Sequence, residues 1–150
     1  MRRIPTAPLV LGLSGLIPFL WGALTHVVGP LADWSAAALG ARFTGQMILQ
    51  GYGIVILAFM SGVIWGFATR ASGRFAVAAY VASVLPALWA FFMGTGPAGP
   101  ALQALAIGFA ALIALDVVFW RMRLTPPWWL SLRLVLTAIV VACVSVGAYA

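Results

Sequence analysis

Apolar residues along this chain fall into five long blocks, divided by short polar or turn-forming stretches. The blocks run roughly Pro8–Val28, Gln46–Ala68, Phe75–Met93, Ala101–Trp120 and Trp129–Tyr149. Each is close to the ~20 residues that cross ~30 Å of hydrocarbon at ~1.5 Å per residue. Between them stand Gly29-Pro30, Ser72-Gly73, the run "GTGPAGP" at 94–100 and Pro126-Pro127, all turn-formers and helix breakers. A β-barrel needs ~10-residue strands of alternating polarity, and these blocks are too long and too uniformly apolar. Backbone groups in lipid must bond within their own segment, so the pattern predicts helices. The expected fold is an all-α integral membrane protein, a single domain over residues 1–150 forming a five-transmembrane-helix bundle.

Composition agrees with the pattern. Hydrophobic residues make up 65% of the chain and charged residues 7%, against ~25% charged in an average soluble domain; mean hydropathy is +1.14. The few charges are placed unevenly. Arg2, Arg3, Arg70, Arg74, Arg121, Arg123 and, just inside the last block, Arg133 share one side, while Arg42 stands alone on the other. By the positive-inside rule the N-terminus is cytoplasmic (or matrix-facing) and the C-terminus outside. The same rule, with anionic inner-leaflet lipid, accounts for the net charge of +6 without nucleic acid. The first block exceeds the ~7–15-residue core of a secretory signal and reads as a spanning helix. Cys143 is the one cysteine, so no disulfide forms within the chain, and a buried inert thiol is its ordinary role.

The Gly51-Tyr52-Gly53 tripeptide resembles the heart of a potassium-channel filter. Such a filter is preceded by Thr-Val and followed by a complete span. Here Leu49-Gln50 precede it and Ala68 ends the block, too soon for a further crossing. The tripeptide belongs inside the second helix. That helix also carries Gly62 and Gly66, a GxxxG that predicts close helix packing within the chain or, failing that, across a dimer.

Polar residues inside the blocks are the candidates for chemistry, because burying them is expensive. Asp116 and Arg133 lie at similar depth on consecutive helices, which a short turn makes antiparallel neighbours. Three readings stand: a structural ion pair, a proton-relay or headgroup site, or two side chains snorkelling separately to the interface. A second group, His26, Gln46, Gln50, Tyr52 and Gln103, gathers toward the outer side. His26, Gln50, Tyr52 and Gln103 are the candidate ligand-binding set, against the plainer reading of helix-end residues facing headgroups. His26 and Asp116 fall on opposite faces, so no Ser-His-Asp site uses both. No His, Cys or Glu set has metal-ligand spacing, and "GTGPAGP" lacks the Lys-Ser/Thr of a phosphate loop.

Pro18 and Pro86 fall mid-block and predict kinks that free the carbonyls of Ser14 and Ala82, with the hydroxyls of Ser14 and Ser83 nearby. Kinks of this kind either frame a mid-depth cavity or curve helices around their neighbours. Trp34, Trp120, Trp128 and Trp129 fit interfacial belts, while Trp65 and Trp89 lie deeper. The segment 29–45 predicts a short surface helix capped by Asp33 or Ser35, with Trp34, Leu39 and Phe43 at the bilayer boundary.

The runs "GLSGLIPFL" (12–20), "YGIVILAFMSGVIWGFA" (52–68), "SVLPALWAF" (83–91), Asp116 and "PPWWLSLRLVLT" (126–137) occur in that order. Together they resemble the transmembrane-protein-69-like family, known as domain of unknown function 3429, from about Pro8 to Cys143. The family usually has an aromatic-Tyr pair where this chain has Trp128-Trp129. The resemblance implies five helices and a bacterial inner membrane, or the mitochondrial inner membrane in a eukaryote; it brings no activity. Two functional classes remain. The first is a non-enzymatic scaffold, assembly factor or accessory subunit of a membrane complex. The alternative is a binder or carrier of a lipid, quinone or other amphipathic molecule. An enzyme ranks third, because the spans hold too few titratable groups. No cofactor is implied, and the expected partners are membrane lipids and a membrane protein or second copy of the chain.

Overall fold

A computed structural model of the chain describes residues 3–150; Met1 and Arg2, the latter among the arginines counted above, lie outside the described residues. The fold is all-α, with five helical spans of 21 to 24 residues, about 31–36 Å long at helical rise. The chain is a multi-pass membrane protein. Its first span is two helices, α1 (Thr6–Ser14) and α2 (Ile17–Val27). A connecting helix α3 (Gly29–Ala38) and a 3-10 turn at Ala41–Phe43 follow. Then come α4 (Gly45–Ala68), α5 (Gly73–Met93), α6 (Ala98–Arg121) and α7 (Trp129–Tyr149).

The first span breaks at Gly15–Leu16, two residues ahead of Pro18, which sits in the first turn of α2. At that position a proline has no intrahelical bond to lose. Pro18 therefore starts a helix rather than kinking one. Ser14 donates to Val10 O at 2.8 Å, within its own helix, and the Tyr52 hydroxyl donates to Gly15 O at 3.2 Å across the break. Pro86 does lie inside a continuous α5 and is buried. Ser83 bonds back to Tyr80 O, and the serine that serves the proline turn comes from α4. The Ser61 hydroxyl donates to Ser83 O and accepts from Ala87 N–H at 3.2 Å. Those two backbone groups bond directly to each other in a regular helix, so a neighbour's hydroxyl is threaded through the ladder.

α4 is the hub, packed against α2, α5, α6 and α7. The close approaches are made by glycines facing leucines. A Cβ on Gly22 would stand 2.7 Å from Leu49 Cγ, and one on Gly147 would stand 2.6 Å from Leu49 Cδ1, so α2, α4 and α7 meet on one side chain. Likewise a Cβ on Gly108 would reach Leu57 at 2.6 Å and Trp89 at 2.8 Å, where α4, α5 and α6 meet. Lipid tails are as apolar as leucine, so such van der Waals fit holds helices together in a bilayer. Gly62 and Gly66 are not part of it. Both are exposed, with nothing within 4 Å of where a Cβ would stand, because the face of α4 that turns inward carries Leu57, Ser61, Ile64 and Ala68.

Hydrogen bonds fasten the two ends of the bundle. At one end Gln46 donates to Gly147 O at 2.7 Å, and Gln50 to Gly94 O at 2.9 Å. At the other, Arg70 donates to Leu124 O at 3.1 Å, tying the α4–α5 turn to the α6–α7 turn. α6 ends there with Arg123 at φ 58° and the Leu124 N–H bonded to Phe119 O at 3.0 Å, a Schellman closure in which glycine is the usual residue. The connecting helix α3 starts after Val28, with Pro30 in its first turn and no side-chain cap. The expected cap at Asp33 or Ser35 is thus displaced. Ser35 is instead buried and accepts from the Thr44 hydroxyl at 2.9 Å, while Trp34, Leu39 and Phe43 point outward.

Candidate functional site

Asp116 is carried inward on the buried face of α6, between Leu112 and Phe119. Arg133 is one turn into α7. Antiparallel packing brings them together, with Arg133 Nε donating to Asp116 Oδ2 at 2.9 Å. It is the one ion pair among the described residues, and both members are buried, at 0% and 5% exposure. A third residue completes the arrangement. Trp129, one turn before Arg133 on the same face of α7, donates its indole N–H to Asp116 Oδ1 at 2.7 Å. Phe67 of α4 holds that indole from the side, ring centroids 5.0 Å apart at 80°.

The division of labour on the carboxylate matters. Arginine commonly takes both oxygens of a carboxylate at once. Here Trp129 bonds one oxygen, and Arg133 bonds the other through Nε alone. Its Nη2 is left buried without a partner, as is Oγ1 of Thr137, one further turn along α7. Residues 129, 133 and 137 are spaced by four and share a helix face. Buried donors without partners are rare, and each costs roughly 1–3 kcal/mol, more when charged.

Both unpartnered groups belong to residues in the wall of one cavity, about 390 Å³ in volume. α7 forms one wall with Trp129, Leu132, Arg133, Leu136, Thr137 and Val140; α4 forms another with Tyr52, Ile56 and Met60. The α1/α2 break closes the third side through Gly12, Gly15 and Phe19. At the rim stand Leu11 and Phe59, 72% and 61% exposed, so the cavity opens sideways, toward the face that meets lipid. The volume lies within the ~300–1,000 Å³ usual for small-molecule sites. No residue of α5, and so not Pro86, lines this cavity.

Residues 4–149 match the family described as "Protein of unknown function (DUF3429)". The chain belongs to that family. The match spans the whole of the site but carries no transmembrane-protein-69-like name. No curated protein and no solved structure matches the chain.

In this DUF3429 protein the outer polar group does not form one pocket. Of His26, Gln50, Tyr52 and Gln103, Tyr52 alone lines the cavity. The amide of Gln50 is spent on the carbonyls of Gly94 and Gly96, where α5 ends and its last acceptors need donors. His26 is half-buried, on the side of α2 that faces Gly45, and Gln103 is half-buried on α6. Among the described residues no three of His, Cys, Asp or Glu come close enough to hold a metal. Sequence reasoning missed Trp129 and Thr137. Trp129 read as a belt residue beside Trp128, although its four-residue spacing from Arg133 was the available signal. Thr137 had no sequence signal beyond the same spacing.

Proposed function

We propose that this protein is a non-enzymatic membrane protein that binds an amphipathic small molecule, a lipid or quinone, in the cavity between α1/α2, α4 and α7. One observation carries the reading: an apolar cavity of about 390 Å³ with a lateral rim, whose wall includes Arg133 and Thr137 among aliphatic and aromatic side chains. A largely apolar ligand with one polar end suits such a wall. Binding is preferred over catalysis because Asp116, the acidic residue within the spans, is closed in its ion pair with Arg133 and does not line the cavity. The arginine distribution supports an inner-membrane orientation with the N-terminus cytoplasmic or matrix-facing and the C-terminus outside. In that orientation α3 lies along the outer surface.

Purification in mild detergent followed by native mass spectrometry tests this reading. A small molecule retained by the wild type and lost when the cavity is filled by Leu136→Trp supports it. A stoichiometric protein partner with no small molecule would favour the scaffold or accessory-subunit reading instead. The outward Gly62 and Gly66, flanking the exposed Trp65 on α4, are the face that such a partner or second copy would use. Cysteine labelling in a Cys143→Ser background tests the orientation: reagent confined to the outside should reach residues 94–100 and not 70–74.

A further inference from the structure

A second opening lies on the other face of α2. The cavity takes Gly15, Leu16 and Phe19 from this stretch of chain, whereas a groove beneath α3 takes Ile17, Pro18 and Trp21. We propose that this groove seats one phospholipid of the leaflet on the α3 side, with an acyl chain along the groove and the phosphate on Arg42. The inference does not depend on what the cavity holds.

The groove has a volume of about 410 Å³, and its lining is aliphatic and aromatic throughout. Its roof is pinned in place. The Trp21 indole N–H donates to Phe43 O at 2.9 Å, and the Ser35 hydroxyl donates to the same carbonyl at 3.3 Å. The rings of Trp21 and Trp34 meet edge to face, with centroids 6.3 Å apart. These contacts hold α3 and the 3-10 turn against α2, so a ligand need not bear the cost of ordering them. Ile17, at the far end, lies about ten residues before the end of α2, or ~15 Å at helical rise. That is half of a ~30 Å hydrocarbon core, the depth of one leaflet. Ile17, Trp34 and Leu39 are exposed, so the groove is open to lipid along its side.

Charge picks out the polar end. The Arg42 guanidinium sits over the Phe43 ring, 4.6 Å from its centroid, a cation–π contact that stations a cation at the groove's wall. Arg42 is exposed and thus reachable. It has no carboxylate partner, because the one ion pair among the described residues joins Asp116 and Arg133. A guanidinium matches a phosphate in both charge and geometry. The occupant that joins an acyl chain to a phosphate is a phospholipid.

The test titrates the full, delipidated chain in mild detergent with phosphatidylglycerol and with diacylglycerol of the same acyl chains. Native mass spectrometry reads the first lipid bound. Phosphatidylglycerol should bind about fivefold more tightly, the worth of one arginine near a lipid headgroup. Arg42→Gln should close that margin and leave diacylglycerol binding unchanged. A margin that survives Arg42→Gln would overturn the headgroup assignment. Ile17→Trp, at a side chain 63% exposed, should obstruct the groove without disturbing the core, and so weaken phosphatidylglycerol. Undiminished binding in that variant would take the acyl chain out of the groove. Leu136→Trp, which fills the cavity on the other face of α2, should leave the margin in place. A margin lost in Leu136→Trp and kept in Arg42→Gln would move the lipid into the cavity, overturning this inference while supporting the cavity reading. A dimer that Ile17→Trp dissociates would show that a second copy fills the groove, and would overturn the lipid assignment.

Discussion

Nine residues of α6 are buried, while α1, of equally apolar composition, buries none. The contrast is not one of hydrophobicity, since either helix would sit comfortably in lipid. α6 has what lipid cannot supply: Gly108 and small alanines that admit the leucines and tryptophan of its neighbours, and a carboxylate answered from α7. α1 offers its neighbours little more than Gly12, whose Cβ would meet Leu136 at 2.9 Å. In a membrane, then, inside and outside are assigned by fit and polarity, and a helix without either becomes a wall that can yield. The cavity lies on that boundary, with the fixed pair on one side and the loosely held α1 on the other.

The strongest way to break this comparison is at the ion pair. Asp116→Asn and Arg133→Gln should each lower stability in detergent by about 3–5 kcal/mol, the usual cost of leaving one member of a buried pair alone. The double variant should recover part of the loss, as followed by thermal unfolding. Unchanged melting in either single variant would mean that α6 is held by packing alone. Next in size are the glycines. Gly108→Leu should cost about 1–3 kcal/mol or more by overpacking, whereas Gly62→Leu and Gly66→Leu should stay within about 0.5 kcal/mol of the wild-type monomer. Equal losses at all three would show that the outward face of α4 is in fact occupied.

A smaller effect of opposite sign is expected where α6 ends. Arg123 holds a left-handed conformation that glycine adopts without strain, so Arg123→Gly should raise stability by up to about 1 kcal/mol. The smallest effect belongs to α1. Leu11→Ala, at a side chain 72% exposed, should change melting by no more than about 0.5 kcal/mol, while weakening ligand retention if the rim guides entry. A large loss of stability there would erase the contrast between the two helices.

How far the sequence reveals this arrangement depends on what kind of signal each part leaves. The five spans were legible because length and apolarity are properties of a segment by itself. Asp116 and Arg133 were legible as neighbours because they are the charged residues within adjacent spans, at matching depth across a short turn. The facing of Gly62 and Gly66 was not, since a helix apolar all round carries no mark of which side turns inward. Nor were the acceptors of Gln46 and Gln50: they are backbone carbonyls, which every residue has, and only the fold decides which are exposed at a helix end. The break at Gly15–Leu16 falls in the Ser14–Pro18 turn that the proline marks, but its form, two helices in place of one kinked helix, was not legible. A proline announces that a helix is interrupted nearby but fits equally well as the first residue of the next one.

The ion pair also sets an order of events during synthesis. Asp116 precedes Arg133 by 17 residues, which at ~5–20 residues per second means about one to three seconds of translation. During that interval α6 carries a carboxylate whose two hydrogen-bond donors, both on α7, have not yet been made. A lone Asp at mid-span is disfavoured by ~2.5–3.5 kcal/mol on insertion scales, less nearer the interface. The nascent α6 is therefore poorly suited to release into the bilayer by itself, and favours waiting at the insertion machinery until Trp129 and Arg133 emerge. α6 and α7 would then leave together as a helical hairpin, with the acid already shielded from the lipid it never meets.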